Sequence, residues 1–481
     1  MNAEQRQSRF DQSDDLVVMK FGGTSVEDAA AIRRLIGIVQ SRSARQRVLV
    51  VSALAKVTDQ LLEAGHAAAT GHLGLALATV RNIYVRHEQL ADTLVEGSPN
   101  SPLDQQLREE FRQLESLLHD LEASRCFDLK VQDRLLGFGE CFSSRLVTEA
   151  ICHAGLTAVH VDARSCIVTD ERHGQASPLW DATNQRVQDC LAPLLDSQSI
   201  PVLGGFIAAT EEGVATTLGR GGSDFTAAIV GAALGASGVE IWTDVDGVMT
   251  TDPKLCPDAR VIRRMSFDEA AELAHFGAKV LHPATLVPAV RANIPVYVLN
   301  SRSPEGHGTE IVANTNSERR VHAITAKRNV AAVEIELSRP VDSELLGKVF
   351  SAFDQHSCLV DVMGSSLGRI SLLVGSTGPL PAIAAHLEGV ADIRWENHKA
   401  LVCLVGENIR RQPEVAGRVF SAISDMDVRV ICQGASDRTI SFLVEDSKAQ
   451  ESVQRLHGLF FPKKEPARDW GGISTAFCQA G

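Results

Sequence analysis

The segment Leu16-Val17-Val18-Met19-Lys20-Phe21-Gly22-Gly23-Thr24-Ser25 decides the fold of the first half of the chain. Its apolar start, residues 16–21, predicts a β-strand, and the glycine pair predicts a tight turn into the helix-period segment at residues 26–39. The run at residues 48–53 is continuously apolar and largely β-branched, as in a parallel strand covered on both faces. The order is therefore strand, helix, strand, which is the opening of a doubly wound α/β domain.

The same alternation continues along the chain. Residues 58–150 have a helical pattern that is broken once, at 97–102, where Gly, Ser and Pro predict a loop. Strand signals follow at 157–161, 200–203 and 239–243, and helical signals at 225–234 and 266–276. Together they predict a mostly parallel sheet with helices on both faces over residues 16–315. Residues 1–15 are polar, and we expect a disordered tail there rather than a signal peptide.

The C-terminal part contains an internal repeat. Residues 345–374 match residues 415–444 without a gap, and Phe350-Ser351-Ala352 recurs as Phe420-Ser421-Ala422. Each copy has the pattern strand, helix, strand, turn, strand. We therefore predict two α+β modules, at 316–396 and 397–470, followed by a short C-terminal tail at 471–481.

The composition excludes several classes of protein. With 44% hydrophobic and 22% charged residues, the 481-residue chain can bury a large core, yet no stretch approaches the ~18 apolar residues of a membrane span. The net charge of −13 disfavours nucleic-acid binding, which concentrates Lys and Arg. The ten cysteines form no C-x-x-C pair, so neither a zinc ribbon nor a redox motif is predicted. We expect a cytoplasmic protein without a nucleic-acid or membrane partner, and with no metal site built from its side chains.

The turn after the first strand is a candidate phosphate site. The backbone N–H groups of Gly22 and Gly23 can approach phosphate oxygens at a helix N-terminus, and Lys20 adds a full positive charge. A tight turn alone also explains the two glycines. The G-x-x-x-x-G-K-[ST] motif is absent from the sequence, which argues against a P-loop nucleotide-binding protein.

Two more motifs place charged residues beside glycines. In the segment at 219–224, Ser223 or Asp224 can cap the helix that follows, whereas Arg220 among three glycines indicates bidentate contact with a carboxylate or phosphate. Glu140 follows the Gly-Phe-Gly sequence at 137–139. It either lies in a first helical turn, favoured by the helix dipole, or binds a substrate ammonium group.

The polar stretch at residues 242–254 leaves a predicted strand. It suits either ordinary turn residues or a nucleotide that lies across the carboxyl ends of the strands. Lys279, after the predicted helix at 266–276, is placed like a cation at a helix C-terminus.

Together and in this order, these motifs resemble those of the aspartokinases of the amino acid kinase family. The segments that carry the resemblance are KFGGTSV from Lys20, VSALAKVTD from Val51, GFGECFS from Gly137, TTLGRGGSDFTAA from Thr216, WTDVDGVMTTDP from Trp242 and FGAKVLHPATLVPA from Phe276. The resemblance implies the amino acid kinase fold followed by two ACT-like modules. It also implies transfer of the γ-phosphoryl group of ATP, carried with Mg²⁺, to the side-chain carboxylate of L-aspartate.

The resemblance implies roles for particular residues as well. It assigns catalysis to Lys20 and Asp224. It assigns aspartate binding to Ser52, Thr58, Glu140 and Arg220. It assigns nucleotide binding to Lys20, Gly22, Gly23, Thr243, Asp244, Met249, Lys254 and Lys279.

A regulatory site is predicted from a difference between the two repeats. Asp361 stands where the second repeat has Ile431, which suggests a site in which Asp361 receives an effector ammonium and Ser365 and Ser366 donate to its carboxylate, with Leu346 nearby. A solvated aspartate at a strand end is the simpler alternative. The resemblance to lysine-inhibited aspartokinases favours lysine as the end-product effector. Glu344 and Leu367 depart from that pattern, so threonine, alone or with lysine, stays open.

Two other functions stay open at this point. One is a non-catalytic amino-acid sensor with a degenerate kinase domain, although Lys20, Glu140, Arg220 and Asp224 argue against it. The other is a kinase of the same fold that acts on another acidic amino acid, such as glutamate. Because exposed edges of ACT-like sheets pair readily, we expect a homodimer or a larger homo-oligomer.

Overall fold

The computed structural model describes residues 16–42, 46–95, 101–277, 283–315, 320–337, 341–433 and 436–462. The predicted tails at 1–15 and 471–481, most of the predicted loop at 97–102, and Lys279 lie outside these residues. The chain divides into two compact units, Met1–Thr250 with Arg260–His322, and Thr251–Ala259 with Ala323–Gly481.

The first unit is an α/β structure. Its strands are β1 (Leu16–Phe21), β2 (Gln46–Val51), β3 (Ala158–Val161), β4 (Ile200–Gly204), β5 (Ile207–Ala209), β6 (Ala215–Thr217), β7 (Gly238–Thr243), β8 (Arg264–Ser266), β9 (Val296–Asn300) and β10 (Thr309–Val312). Its helices are α1 (Ala29–Ser41), α2 (Val57–Ala69), α3 (Leu73–Val95), α4 (Pro102–Ser124), α5 (Leu129–Leu136), α6 (Phe138–His153), α7 (Ala163–Cys166), α8 (Trp180–Asp196), α9 (Gly222–Leu234), α10 (Phe267–His275) and α11 (Pro283–Arg291).

The main sheet of this unit has β1 near its centre. Among the described residues, the order of its eight strands is β3-β4-β2-β1-β7-β9-β10-β8. β1 pairs in parallel with both β2 and β7, while β9 and β10 pair in antiparallel fashion. The order places later strands on both sides of β1 and confirms the predicted doubly wound, mostly parallel sheet.

The local sequence explains the start of this fold. Every residue of β1 is buried, because its apolar run is covered on both faces, and its bounds are those of the predicted strand. The first helix begins at Ala29, later than predicted, because Gly23–Ser25 form a 3₁₀ turn. Asp28 then caps α1 by accepting from the Ala31 N–H at 2.7 Å, which satisfies one of the unpaired donors of the first turn.

The second unit contains the repeat. Its strands are β11 (Ala323–Leu337), β12 (Val360–Ser366), β13 (Arg369–Val374), β14 (Ala391–Val405), β15 (Ile431–Gln433) and β16 (Thr439–Glu445). Its helices are α12 (Ser343–Gln355), α13 (Leu380–His386), α14 (Pro413–Ala422) and α15 (Ala449–Phe460). The predicted sequence of strand, helix, two strands is found in both copies.

The two repeats share one antiparallel sheet. The described strands lie in the order β12-β13-β11-β14-β16-β15. β11 and β14 have 15 residues each and pair from Ala323 opposite Val405 to Leu337 opposite Ala391. β14 therefore runs through the predicted module boundary at 396/397, and the two modules are joined by continuous central strands.

Among the described residues, every helix is too short or too polar to span a bilayer.

Candidate active site

A cleft of about 390 Å³ lies in the first unit at the carboxyl ends of β1 and β2. This position agrees with the general rule that open parallel sheets bind ligands outside the carboxyl ends of their strands. Its lining residues are Lys20, Gly23, Ser52, Ala53, Leu54, Ala55, Lys56, Thr58, Asp59, Glu140, Phe206, Gly219, Gly221, Gly222, Ser223 and Asp224. The structure thus brings together six residues that the sequence analysis assigned to the site: Lys20, Gly23, Ser52, Thr58, Glu140 and Asp224.

The glycine turn is held against the loop that follows β2. Gly22 N donates to the carbonyl of Trp242 at 3.1 Å, and Ala55 N donates to the carbonyl of Gly23 at 3.2 Å. A Cβ on Gly23 would lie 2.9 Å from the Ala53 carbonyl oxygen, closer than real contacts allow. A side chain at residue 23 would therefore force the two loops apart, so glycine at this position reflects close packing as well as access for a ligand.

Lys20 and Asp224 form an ion pair at the wall of the cleft. The Lys20 Nζ lies 2.6 Å from the Asp224 Oδ1, and their side chains are only 11% and 13% exposed. Lys20 lies next to the last residue of β1, and Asp224 lies in the first turn of α9. Since an ammonium has three donor hydrogens, Lys20 can keep this contact and still donate to a bound anion.

Glu140 is a buried carboxyl group that faces the same cleft. Its Oε1 accepts from the Ala53 N–H at 3.1 Å, whereas its Oε2 is buried and has no hydrogen-bond partner among the described residues. Burial raises the pKa of Glu140 to about 8, which the Ala53 N–H and Lys20 only partly counteract. A buried carboxyl that lines a cleft and has one oxygen without a partner among the described residues is suited to receiving a cationic group of a ligand.

Close packing fixes the position of Glu140. A Cβ on Gly139 would lie 2.9 Å from the Ala53 Cβ, and a Cβ on Gly204 would lie 3.0 Å from the Glu140 Cβ. Both glycines therefore allow α6 to approach β2 and β4 closely. This explains why Glu140, in the first turn of α6, reaches the backbone of Ala53.

The Gly-Arg-Gly-Gly loop enters α9 without a side-chain cap. The capping interpretation of Ser223 and Asp224 is wrong, because Gly221 is the N-cap residue and both side chains lie inside the first turn. Gly219 and Gly221 both have φ near +74°, a backbone conformation that other residues rarely adopt. Arg220 between them is exposed, and its side chain makes no hydrogen bond or ion pair with the described residues.

The residues predicted to bind the nucleotide are more dispersed than those that line the cleft. Thr243 and Asp244 lie at and just after the end of β7, which pairs with β1, so they leave the sheet beside the glycine turn. Met249 pairs with Val261 in an isolated bridge farther along the same segment. Lys254 is exposed and belongs to the second unit.

The predicted effector residues lie in the second unit, where Asp361 already has a cationic partner. Both Asp361 carboxylate oxygens lie 2.7 Å from the Lys327 Nζ. Asp361 occupies a β-bulge between Val360 and Val362, which turns its side chain out of the regular alternation of β12. Ser365 and Ser366 are exposed and consecutive in β12, so their side chains project to opposite faces of the sheet.

Phe206 and Ser223 also line the cleft, although neither was predicted as a site residue. Phe206 has φ +66° and its N–H donates to the Thr226 Oγ1 at 3.0 Å. A Cβ on Gly222 would lie 2.7 Å from the Phe206 ring. The Gly-Gly-Phe sequence at 204–206 was the available signal, because a glycine pair after a strand marks a close approach of backbone segments.

Among the described residues, no three His, Cys, Asp or Glu side chains are grouped so that they could hold a metal ion.

Comparisons with known proteins identify the family. Residues 15–300 match the amino acid kinase family, and residues 402–460 match an ACT domain. Lysine-sensitive aspartokinase 3 of Escherichia coli (strain K12) is 35% identical over 458 residues, which are 93% of this chain and 99% of that protein.

Two solved structures of E. coli aspartokinase III agree with this. The complex with aspartate and ADP (R-state) matches with a TM-score of 0.81 at 34% identity, covering 93% of this chain and 100% of that one. The complex with lysine and aspartate (T-state) matches with a TM-score of 0.79 at 33% identity, covering 93% and 99%. The chain therefore belongs to the amino acid kinase family, and within that family to the aspartokinases.

Proposed function

We propose that this aspartokinase uses the cleft between Gly23 and Glu140 to transfer the γ-phosphoryl group of ATP to the side-chain carboxylate of L-aspartate. The product is 4-phospho-L-aspartate, in the first step of lysine, threonine and methionine biosynthesis, and we place the enzyme in the cytoplasm. One observation carries the proposal: a single cleft joins the Lys20 ammonium, the glycine turn and the buried Glu140 carboxyl. The complex of E. coli aspartokinase III with aspartate and ADP supports both substrates.

The chemistry requires two anions to meet. A carboxylate is already ionised at neutral pH, so the nucleophile needs no general base. Two like unit charges 4 Å apart repel by about 1 kcal/mol in water and about 4 kcal/mol at an effective dielectric constant of 20. Lys20, the Mg²⁺ that enters with ATP and the Gly23 N–H group offset this repulsion, and they act most strongly as charge moves in the transition state. The Gly22 N–H already donates to the Trp242 carbonyl, so Gly22 holds the turn rather than the phosphates.

Asp224 acts on this reaction through Lys20. The 2.6 Å ion pair holds the Lys20 ammonium at the cleft wall before substrates bind. Since Asp224 lies in the first turn of α9, its position is fixed by the helix rather than by a mobile loop.

Aspartate is recognised by groups of opposite charge on either side of its α-carbon. The free Oε2 of Glu140 accepts from the α-ammonium, and Arg220 reaches in from the rim to the α-carboxylate. Ser52 and Thr58 supply hydroxyl donors from the loop after β2 and the start of α2. The nucleotide lies toward Thr243, Asp244 and Met249, beyond β7, while contacts from Lys254 and Lys279 stay predictions.

The test is an ADP-release assay on the purified chain with L-aspartate, L-glutamate and N-acetyl-L-aspartate as acceptors. We expect turnover with L-aspartate, at least about 100-fold less with L-glutamate, and none with N-acetyl-L-aspartate, which lacks the ammonium that Glu140 binds. Turnover confined to L-glutamate would replace aspartate as the substrate. No turnover with any acidic amino acid would favour the alternative of a non-catalytic sensor.

We further propose that an end-product amino acid inhibits the enzyme through the second unit, with lysine favoured over threonine. Support comes from the E. coli relative, which is described as lysine-sensitive and was solved with lysine bound. In this chain an effector ammonium at Asp361 must join or displace the Lys327 ammonium, which now lies 2.7 Å from both carboxylate oxygens. Inhibition curves with lysine, threonine and both together decide which amino acid acts.

We also propose that the chain forms a homodimer or a larger homo-oligomer through the edge of the second unit's sheet. β12 is an edge strand, and it and its flanks carry the exposed apolar side chains Leu359, Met363 and Leu367, which are 84%, 45% and 88% exposed. An unpaired, apolar strand edge is a template for pairing with another chain. Sedimentation of the wild type against Met363→Lys tests this, since a lysine on the edge should shift the enzyme toward monomer.

A further inference from the structure

Arg86 joins the two loops that line the cleft, although it belongs to none of the motifs. It lies on α3, and its guanidinium donates from Nη1 to the Ala55 carbonyl at 2.8 Å and from Nη2 to the Glu27 carbonyl at 2.7 Å. Ala55 lies in the loop after β2, and Glu27 lies between the glycine turn and α1. One planar guanidinium group is therefore hydrogen-bonded to both chain segments.

The residue after Ala55 shows why this contact matters. Lys56 has φ +72° and ψ −5°, a left-handed conformation for a residue with a side chain, and it is the N-cap residue of α2. Such a conformation is strained for a residue with a side chain and persists only where the surroundings impose it. The peptide between Ala55 and Lys56 is oriented by the Arg86 contact on its carbonyl and by no other side chain among the described residues.

The same loop carries contacts that the proposed reaction needs. The Ala53 N–H holds Glu140 Oε1, and the Ala55 N–H holds the Gly23 carbonyl. Thr58 follows Lys56 by two residues and lines the cleft. A shift of this loop therefore changes the ammonium site and the glycine turn together.

Arg86 makes these contacts at an electrostatic cost. Burial lowers the pKa of Arg86, and Glu27 and Asp28 nearby only partly oppose this. Its hydrogen-bond acceptors are the two backbone carbonyls, and no carboxylate pairs with it among the described residues. An arginine that serves only packing or surface solubility does not need two carbonyl partners on separate loops.

We propose that Arg86 is a positioning residue of the phosphoryl transfer: it clamps the loop at 52–56 to the segment after the glycine turn and holds Lys56 in its strained conformation. This rests on the proposed function, because the clamped loops are those assigned to aspartate and ATP. Arg86 acts through Ala53, Thr58 and Gly23 rather than by touching a substrate.

The test compares Arg86→Met, which keeps the aliphatic stem, with Arg86→Lys and with Arg81→Met as control. Arg81 lies on the same helix and is exposed. We expect Arg86→Met to lower kcat/KM for both substrates about 10- to 100-fold with a change in Tm within about 3 °C, since small misplacements of binding groups carry such losses. Arg86→Lys should be intermediate, because one ammonium replaces a two-pronged fork, and Arg81→Met should stay within about twofold of wild type.

A second comparison separates positioning from general destabilisation. Glycine adopts a left-handed conformation without strain, so the Lys56→Gly variant does not need Arg86 to hold residue 56. The Lys56→Gly/Arg86→Met double variant should therefore have a kcat/KM less than about threefold below that of the Lys56→Gly single variant. If Arg86→Met alone lowers Tm by more than about 10 °C, the kcat/KM of Arg86→Lys and of the double variant decide whether Arg86 positions the loops or only stabilises the fold. Equal losses in both backgrounds, or kcat/KM within about twofold of wild type in Arg86→Met, would overturn the inference. A wild type inactive toward aspartate would instead reject the proposed function.

Discussion

Replacing Glu140 with glutamine should weaken aspartate binding without disturbing the fold. Glutamine keeps an oxygen to accept from the Ala53 N–H, but it cannot ionise, so it lacks the negative charge that Glu140 carries above its raised pKa and when it receives an ammonium group. A hydrogen bond to a charged group contributes about 1.5–3 kcal/mol, so kcat/KM for aspartate should fall about 10- to 150-fold. The KM for ATP should change less than about twofold, since Glu140 contacts the aspartate side of the cleft. Steady-state kinetics by ADP release, with each substrate varied in turn, measure both effects.

The same substitution has a defined effect on stability. Because burial raises the pKa of Glu140 from 4.5 to about 8, the folded protein keeps a proton between these pH values that the unfolded chain has lost. The wild type therefore loses stability as pH rises through this window, whereas the uncharged glutamine side chain of the Glu140→Gln variant contributes no such loss. We expect the variant to have an equal or higher Tm above pH 8. A rise in the KM for ATP with an unchanged KM for aspartate would refute the assignment of Glu140 to the substrate ammonium.

Four further measurements probe the cleft and the second unit. The aspartate KM of the wild type should fall as pH rises toward about 8 and level off above about 9, because only ionised Glu140 receives the ammonium; a flat profile would contradict this. Lys20→Met should lower kcat about 10³-fold and change ATP affinity less, as measured by single-turnover kinetics and calorimetry, and near-normal turnover would remove Lys20 from catalysis. Arg220→Met should raise the aspartate KM but not the ATP KM. Asp361→Asn should abolish an inhibition worth about 5- to 150-fold in affinity, while the exposed Asp392→Asn control stays inhibited; inhibition that persists in Asp361→Asn would reject the site.

Secondary structure is predicted best from the sequence where one segment determines its own structure. β1 has the predicted bounds because an unbroken apolar run ends at a glycine pair, and both its faces are buried whatever the partner strands. Three-residue strands such as β8 were missed, since so short a segment has no recognisable period and is fixed by pairing with β10. Likewise, nothing in the repeat alone indicates that β11 and β14 are 15 residues long and shared.

The residues of the candidate site show the same difference between local motifs and contacts made by the fold. Lys20, Glu140 and Asp224 stand in motifs, and the fold brings them to one cleft. The role of Arg86 depends on which backbone carbonyls lie near its guanidinium. Every residue has a backbone carbonyl, so residue types alone could not predict these two contacts. The partner of Asp361 was missed for a similar reason, because Lys327 is 34 residues away in the chain and lies on β11, whereas Asp361 lies at the bulge in β12.

Phosphoryl transfer to the aspartate side chain is tested most directly by trapping the product. An acyl phosphate reacts with hydroxylamine to give a hydroxamate, so the purified enzyme is incubated with ATP, Mg²⁺, hydroxylamine and one acidic amino acid, and the hydroxamate is measured by mass spectrometry. We expect aspartate β-hydroxamate in an amount equal to the ADP released, with none formed without ATP and about 10³-fold slower formation by Lys20→Met. Release of ADP without any hydroxamate, or a hydroxamate formed only from glutamate, would contradict it.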